Sequence, residues 1–94
     1  MISMNTILFR NKKTAWRIIE GEGVLVDTNG GNFIHLNETA AEIWSSIDGK
    51  RTISDIIDHI SNTFDVARES AEKDTVEFLD ELLKHGVAEC RRNK

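Results

Sequence analysis

Histidine and cysteine are the first side chains to consider for chemistry in this chain, and there are few of them. The histidines are His35, His59 and His85, and the single cysteine is Cys90. None of the histidines has a cysteine, a histidine or a carboxylate at the short spacing of a recognisable metal motif. His85 and Cys90 could approach each other across Gly86, but two ligands do not make a metal site. We therefore predict that the protein binds no metal and no cofactor.

Covalent and acid–base catalysis also lack the residues that they require. Cys90 has no accompanying pattern of histidine with asparagine or aspartate, so we expect an inert thiol. The glycines mark turns and form neither a phosphate loop nor a dinucleotide fingerprint. The acidic residues of the predicted third helix most often signify a solvated face; they are Glu69, Glu72, Asp74, Glu77, Asp80 and Glu81. We predict no catalytic residues, and a protein that acts by binding rather than as an enzyme.

Length and charge restrict the kind of partner. A chain of 94 residues forms one domain, and its net charge of −4 argues against nucleic acid, whose binders usually carry a basic excess. One cysteine cannot form an internal disulfide. No apolar run approaches the ~18 residues that a membrane span needs, and the start of the chain does not resemble a secretion signal. We therefore expect a cytoplasmic protein that contacts neither nucleic acid nor membrane.

The first part of the chain predicts a small antiparallel sheet. Residues 1–14 are interpreted as an N-terminal arm, and short strand patterns follow at residues 15–20, 23–27 and 32–36. Asn29-Gly30-Gly31 marks the turn before the last of these strands, since Asn-Gly between apolar runs favours a hairpin. We predict a three-stranded antiparallel meander with the second strand in the middle.

Helical periodicity begins after Asn37, a good N-cap residue. A first helix carries the apolar stripe Ala40, Ile43, Trp44 and Ile47, and a second, starting at the capping-box-like Thr52, carries Ile53, Ile56, Ile57, Ile60 and Phe64. A third helix is predicted from about Arg68 to His85, with Gly86 at its C-terminal cap. Residues 87–90 suggest a final short strand and residues 91–94 a polar tail. The predicted fold is α+β and winged-helix-like: a three-stranded antiparallel meander followed by a three-helix bundle.

The third helix carries two apolar stripes, and their meaning stays open at this stage. One consists of Ala71, Thr75, Phe78 and Leu82, and the other of Val76, Leu79 and Leu83. A helix on a single core needs an apolar arc of only ~100°. Either the helix packs against two neighbours, or the second stripe lines a groove.

The segment from Phe33 to Trp44, FIHLNETAAEIW, resembles a pattern of a known family. It looks like the Leu-Asn-x-x-Ala-x-x-Ile-Trp segment of the coenzyme PQQ synthesis protein D family, the PqqD-like proteins. The Asp48-Gly49 pair, the segment Thr52–Ile56 and the spacing of apolar residues from Asp74 to Val87 also match in order. The resemblance runs from about residue 15 to residue 89, which places a PqqD-like peptide-binding domain at residues 15–90.

This resemblance implies a non-catalytic protein that binds the leader segment of a precursor peptide. The precursor would belong to a ribosomally made, modified peptide or a peptide-derived cofactor such as PQQ. Family members present the leader to a modifying enzyme, often a radical-SAM enzyme or a protease/cyclase. The leader adds as a strand beside the third strand and lies against the third helix. Carried onto this chain, the contact residues are Asn32, Phe33, Ile34, His35, Val76, Leu79, Asp80 and Leu83.

Two positions depart from the family pattern. Trp44 stands where proteins dedicated to PQQ often have a smaller aliphatic residue, so this chain looks more like the broad family than that pathway. Ala67 stands where relatives often carry a helix cap, which leaves Asp65 or Ser70 to start the third helix.

The residues of the third strand favour strand addition independently of the resemblance. Exposed edges are normally protected by lysine, proline or inward charges, and residues 32–36 contain none of these. Two alternatives leave no leader at this edge: the N-terminal arm covers it, or a second copy does, as a homodimer. From another class of function, a winged-helix DNA-binding regulator is the runner-up. Against it, the third helix has only Arg68, Lys73 and Lys84 as cations, so its acidic surface would repel phosphates.

Overall fold

A computed structural model describes residues 3–27 and 30–90 of the chain. Its elements run in the order β1 Leu8–Arg10, β2 Ala15–Ile19, β3 Glu22–Asp27, β4 Asn32–Leu36, α1 Glu38–Ser46, α2 Ile53–Phe64, α3 Arg68–Lys84 and β5 Ala88–Cys90. The predicted α+β architecture is confirmed: an antiparallel three-stranded sheet is followed by three helices.

Strand β3 lies in the middle of this sheet, between β2 and β4, as the sequence predicts. The β2–β3 turn consists of Glu20 and Gly21, with φ angles of 52° and 82° between the paired residues Ile19 and Glu22. Positive φ at both central residues is the requirement of a type I′ hairpin turn. The β3–β4 turn was predicted at residues 29–31; position 29 lies outside the described residues, and Gly31 has a φ of 70°.

The two faces of the sheet have different environments. Leu25 of β3 and Leu36 of β4 are fully buried, so the face that carries them packs against the helices. Because side chains alternate along a strand, Phe33 and His35 of β4 lie on the opposite, outer face. Both are exposed, whereas Ile34 on the inner face is half-buried.

Local capping explains where the first two helices begin. The Asn37 side chain accepts a hydrogen bond from the Ala40 N–H at 2.8 Å, and Thr52 forms a capping box with Asp55. Helix α2 buries four residues of its predicted stripe, Ile53, Ile56, Ile57 and Ile60, whereas the fifth, Phe64, is half-buried. Helix α3 begins after Ala67 without a side-chain cap, and Asp65 ends α2 in a left-handed conformation instead of starting α3.

The segment interpreted as an N-terminal arm contributes a strand to the fold. Strand β1 pairs with β5, with Leu8 opposite Cys90, and Leu8 is buried in the core. Ile7 forms an isolated bridge with Thr52. The described part of this segment therefore pairs at the helical end of the domain and does not cover β4. The predicted polar tail, residues 91–94, lies outside the described residues.

In the described ranges, none of the helices combines the length and apolar character needed to cross a membrane.

Candidate peptide-binding site

Strand β4 forms one edge of the three-stranded sheet. It pairs on one side with β3, through Phe33 opposite Val26, Ile34 opposite Leu25 and His35 opposite Val24. On its other side, no strand among residues 3–27 and 30–90 pairs with it. Its backbone N–H and C=O groups on that side are therefore available to another extended chain. The predicted contact residues Asn32, Phe33, Ile34 and His35 all lie on this edge strand.

The core-facing side of α3 differs from the prediction by one residue. Leu79, predicted to line a groove, has no exposed surface and packs in the core with Ala71, Thr75 and Leu82. Phe78, predicted as core, is only half-buried. Successive helical residues are about 100° apart, so the buried arc includes Leu79 and leaves Phe78 at its margin. Leu79 belongs to the core in this structure, so its contact with a peptide stays a prediction that would require the packing of α3 to change.

His85 links the end of α3 to the turn between β3 and β4. Its Nδ1 atom lies 4.0 Å from Oδ2 of Asp27, and its Nε2 atom lies 3.3 Å from Oε2 of Glu81. Asp27 is the last residue of β3 and is paired with Asn32, the first residue of β4. These contacts bring the C-terminal end of α3 beside the start of the open edge strand.

One row of α3 residues lies on the same side of the helix as His85. Asp74, Phe78 and Glu81 precede His85 at spacings of three and four residues, which places all four on one helix face. We call these residues the sheet-side row. A shallow depression of about 670 Å³ lies along this part of the helix; its described lining residues are Asp74, Glu77, Phe78, Asp80, Glu81 and Lys84. Phe78 is its apolar member, and four carboxylates surround one ammonium group.

The remaining predicted helix residues are Val76, Asp80 and Leu83. Asp80 is exposed and lines the depression described above. Val76 lies about 160° around the helix axis from Phe78, and Leu83 shares its side of the helix. Both are half-buried. Val76 lines a second depression of about 340 Å³ together with Glu69, Glu72, Lys73 and Glu77. Asp80, two residues after Phe78, is as far around the helix axis from Phe78 as Val76 is. The structure thus separates Val76, Asp80 and Leu83 from the sheet-side row; peptide contact by these three residues stays a prediction.

The sequence contains one indication of the sheet-side row, which is not a pattern of apolar residues. Asp74, Phe78, Glu81 and His85 follow a strict helical spacing, but only Phe78 among them is apolar. A search for apolar stripes passes over such a row. The contact between His85 and Asp27 shows that the end of this row lies near the β3–β4 turn. The two residues are 58 positions apart, so no local sequence pattern connects them.

The histidines and Cys90 are dispersed over the fold. His59 contacts Glu42 between α2 and α1 at 2.7 Å, while His35 is exposed on the outer face of the sheet. Cys90 is exposed on β5. Among the described residues, no three histidine, cysteine, aspartate or glutamate side chains are grouped so that they could hold a metal ion.

Local contacts near helix ends shift the pKa values of Asp48 and Arg68. Hydrogen bonds from the backbone N–H groups of Arg51 and Lys50 lower the pKa of Asp48, in the loop between α1 and α2. A hydrogen bond to the carboxylate of Asp58 raises the pKa of Arg68, at the start of α3. Both shifts therefore belong to local structural contacts at helix ends.

Comparison with known proteins relates the chain to one family. The family model described as coenzyme PQQ synthesis protein D matches residues 22–88. A solved structure described as TbiB1 in complex with the TbiA(beta) leader peptide is similar in fold, with a TM-score of 0.78 and 24% sequence identity, over 90% of this chain and 99% of that chain. None of the curated proteins compared with the chain matches it. Because the family model covers most of its length, including β3, β4 and all three helices, the chain belongs to the coenzyme PQQ synthesis protein D family.

Proposed function

We propose that this protein binds the leader segment of a precursor peptide as an added strand along β4 and presents it to a modifying enzyme. Membership of the PqqD family supports a peptide-binding role. The TbiB1 structure, which has the same fold, contains a leader peptide. The modifying enzyme would be of the radical-SAM or protease/cyclase type, as the family resemblance implies. The protein itself takes no part in bond making or breaking.

The observation that carries this proposal is the open edge of β4 beside α3. In strand addition, backbone hydrogen bonds supply affinity and side-chain contacts supply selectivity. Strand β4 offers five residues for backbone pairing, Asn32–Leu36. An extended segment of similar length would pair along it while its inward side chains approach α3.

The helix side of this site is the sheet-side row. In the proposed site, Phe78 and Glu81 flank the space beside β4. Support comes from the contacts of His85 with Asp27 and Glu81, since His85 follows these residues on the same face of α3. Phe78 is half-buried and leaves part of its ring for a leader side chain. In this arrangement Phe78 takes the role that the sequence analysis gave to Leu79.

Hydrogen exchange tests strand addition directly. The probe is a synthetic candidate leader, the N-terminal segment of a short precursor peptide, added to the protein while amide exchange is followed by NMR. Neighbouring residues in a strand direct their N–H groups to opposite sides, so alternate amides of β4 should become protected. Strand β2 is the internal control, because it is the other edge of the same sheet. Protection on β2 but not on β4 would contradict the proposal.

A pair of charge substitutions tests the helix side. Phe78→Glu places a carboxylate where an apolar leader side chain docks, and desolvating that charge should weaken leader binding at least tenfold. Val76→Glu is the comparison on the far side of α3; if the leader lies along the sheet-side row, this variant should bind the leader as the unchanged protein does. Circular dichroism establishes that both variants are folded. Loss of binding in the Val76 variant alone would instead restore the groove expected from the sequence.

A further inference from the structure

The outer face of the sheet carries apolar side chains that contribute little to the core. Phe33 of β4 is 74% exposed and Ile19 of β2 is 59% exposed. Val24 and Val26 of β3, between them, are half-buried. A phenylalanine with most of its surface in water gains little from folding, since hydrophobic stabilisation is proportional to the area removed from water. The position of Phe33 on the open edge strand suggests that its ring is covered when that edge is occupied.

The register of the sheet defines which residue of an added strand would cover the Phe33 ring. Ala15, Val26 and Phe33 are directly opposite one another on the three strands, so their side chains form one row on the outer face. A strand added to β4 extends this row by one residue, about 4.8 Å beyond Phe33. The side chain at that position must lie on the outer face, next to the Phe33 ring.

We propose that Phe33, with Val26 behind it, forms a subsite on the outer face of the sheet that takes an aromatic or β-branched side chain of the leader. The inference rests on the proposed function, because only an added strand has a residue in this row. The leader is then read on both faces of the sheet. Side chains at alternate positions approach α3, and one side chain between them packs on Phe33.

The chemistry of the neighbouring row limits the subsite to one leader residue. Two residues along β4, the next outer-face side chain is His35, whose row continues through Val24 to Arg17. His35 and Arg17 are exposed and polar, so this row offers no comparable apolar surface at the edge. A preference for an aromatic or β-branched residue is therefore expected at a single position of the leader.

Ile19 distinguishes this subsite from a surface that docks as a whole. Its side chain is on the same outer face as Phe33, but β2 and β4 are two strands apart, about 10 Å. A strand added to β4 would be about 14 Å from β2, beyond side-chain contact with Ile19. A second copy of the chain that covered the whole outer face would bury both residues.

The test is selection from a display library of random twelve-residue peptides. The unchanged protein should enrich peptides that share an aromatic or β-branched residue at one fixed position. Phe33→Ser should lose that preference while keeping preferences at the alternate positions, and Phe33→Tyr should keep it. Ile19→Ser, which removes another exposed apolar side chain of the outer face, should select the same peptides as the unchanged protein. For an enriched peptide, Phe33→Ser should weaken binding about three- to tenfold.

Each contrary outcome has a separate meaning. If the unchanged protein enriches no peptide, the proposed function fails and the subsite fails with it. If peptides are enriched but Phe33→Ser keeps the same preference, leader binding stands and the subsite is wrong. If Ile19→Ser loses the preference as completely as Phe33→Ser, the outer face acts as one docking surface, which also overturns the subsite.

Discussion

The two edges of the three-stranded sheet are built differently, although β2 and β4 each have five residues. At the β2 edge, the ring of Trp16 packs edge-to-face on the buried ring of Trp44, with 6.1 Å between centroids. The guanidinium of Arg10 lies 5.2 Å from the Trp16 ring and 5.6 Å from the Trp44 ring. At the β4 edge, Phe33 extends into solvent and His35 is exposed.

The β2 edge therefore contributes to the stability of the fold, whereas the β4 edge is the one that the proposed function assigns to the leader. The β2 edge packs against α1 through Trp16 and Trp44, and Arg10 of β1 contacts both rings. In addition, the exposed cations Lys12, Lys13 and Arg17 lie on β2 or just before it. Cationic side chains at an edge oppose the approach of another strand. The β4 edge lacks both forms of protection, which is the arrangement expected if one edge accepts a leader and the other does not.

The largest expected effect is a loss of stability when the packing of the β2 edge on Trp44 is removed. Trp44 has no exposed surface, and its Nε1 atom has no hydrogen-bond partner among the described residues, so its contribution is packing. Trp44→Ala should lower the free energy of unfolding by about 3–5 kcal/mol. Urea unfolding followed by circular dichroism measures this loss. A loss of unfolding free energy below about 1 kcal/mol would show that packing on Trp44 does not stabilise the β2 edge.

A second effect concerns which side of α3 belongs to the core. Leu79 is fully buried, so Leu79→Ala should cost about 2–5 kcal/mol. Phe78→Ala removes a half-buried ring and should cost clearly less, even though the residue is larger. The same unfolding assay compares the two variants. If Phe78→Ala is the more damaging, the helix is rotated relative to this structure and the sheet-side row does not face β4.

Sequence reasoning misplaced these two residues for a definable reason. Apolar residues occur as neighbouring pairs on α3, at 78–79 and 82–83, and a stripe can be drawn through either member of a pair. The packing of α3 on α2 decides between them, and that choice depends on the whole fold. By contrast, the neighbouring pair of α2, Ile56–Ile57, was assigned to a single stripe with Ile53 and Ile60, and all four isoleucines are buried as predicted.

Local chemistry predicted the element boundaries, whereas long-range pairing was missed. The Asn37 cap, the Thr52 capping box and the bounds of β4 were all read from neighbouring residues. Strand β1 has only three residues, and its partner β5 lies at the other end of the chain. Nothing within such a short segment specifies a partner so distant, so it was interpreted as an arm. The same limit explains why the contact of His85 with Asp27 was not foreseen.

A smaller difference in stability is expected between substitutions of the exposed aromatic residues at the two edges, Trp16 on β2 and Phe33 on β4. Trp16 is 46% exposed yet packs on Trp44, so Trp16→Ala should cost about 1–2 kcal/mol of stability. Phe33→Ala should change stability by less than about 0.5 kcal/mol, because its ring is mostly in water. Denaturant unfolding of both variants gives the comparison. Equal losses of stability at the two positions would mean that Phe33 packs against the rest of the fold as closely as Trp16 does.

The smallest expected effect is the response to duplex DNA, because the β2 edge carries cations and helix α3 carries mainly carboxylates. The cations near the β2 edge could attract phosphates, but α3 presents the exposed carboxylates of Asp74, Glu77, Asp80 and Glu81. Arg68, which could oppose them, is 2.7 Å from Asp58 and 3.6 Å from Glu72. Since phosphate contacts supply most non-specific affinity, a helix with this charge should not enter a groove.

We therefore expect that the anisotropy of a labelled mixed-sequence duplex stays flat when the protein is titrated to micromolar concentration at physiological salt. Saturable binding would favour the winged-helix regulator instead, and a charge variant would then locate it. Arg17→Glu reverses a cation on β2 and leaves α3 unchanged. If that variant still binds the duplex at full strength, the contact lies on the helical side, and the acidic surface of α3 does not exclude DNA. If binding is lost, the β2 edge carries a nucleic-acid surface of its own, and the view that it serves only to stabilise the fold is wrong.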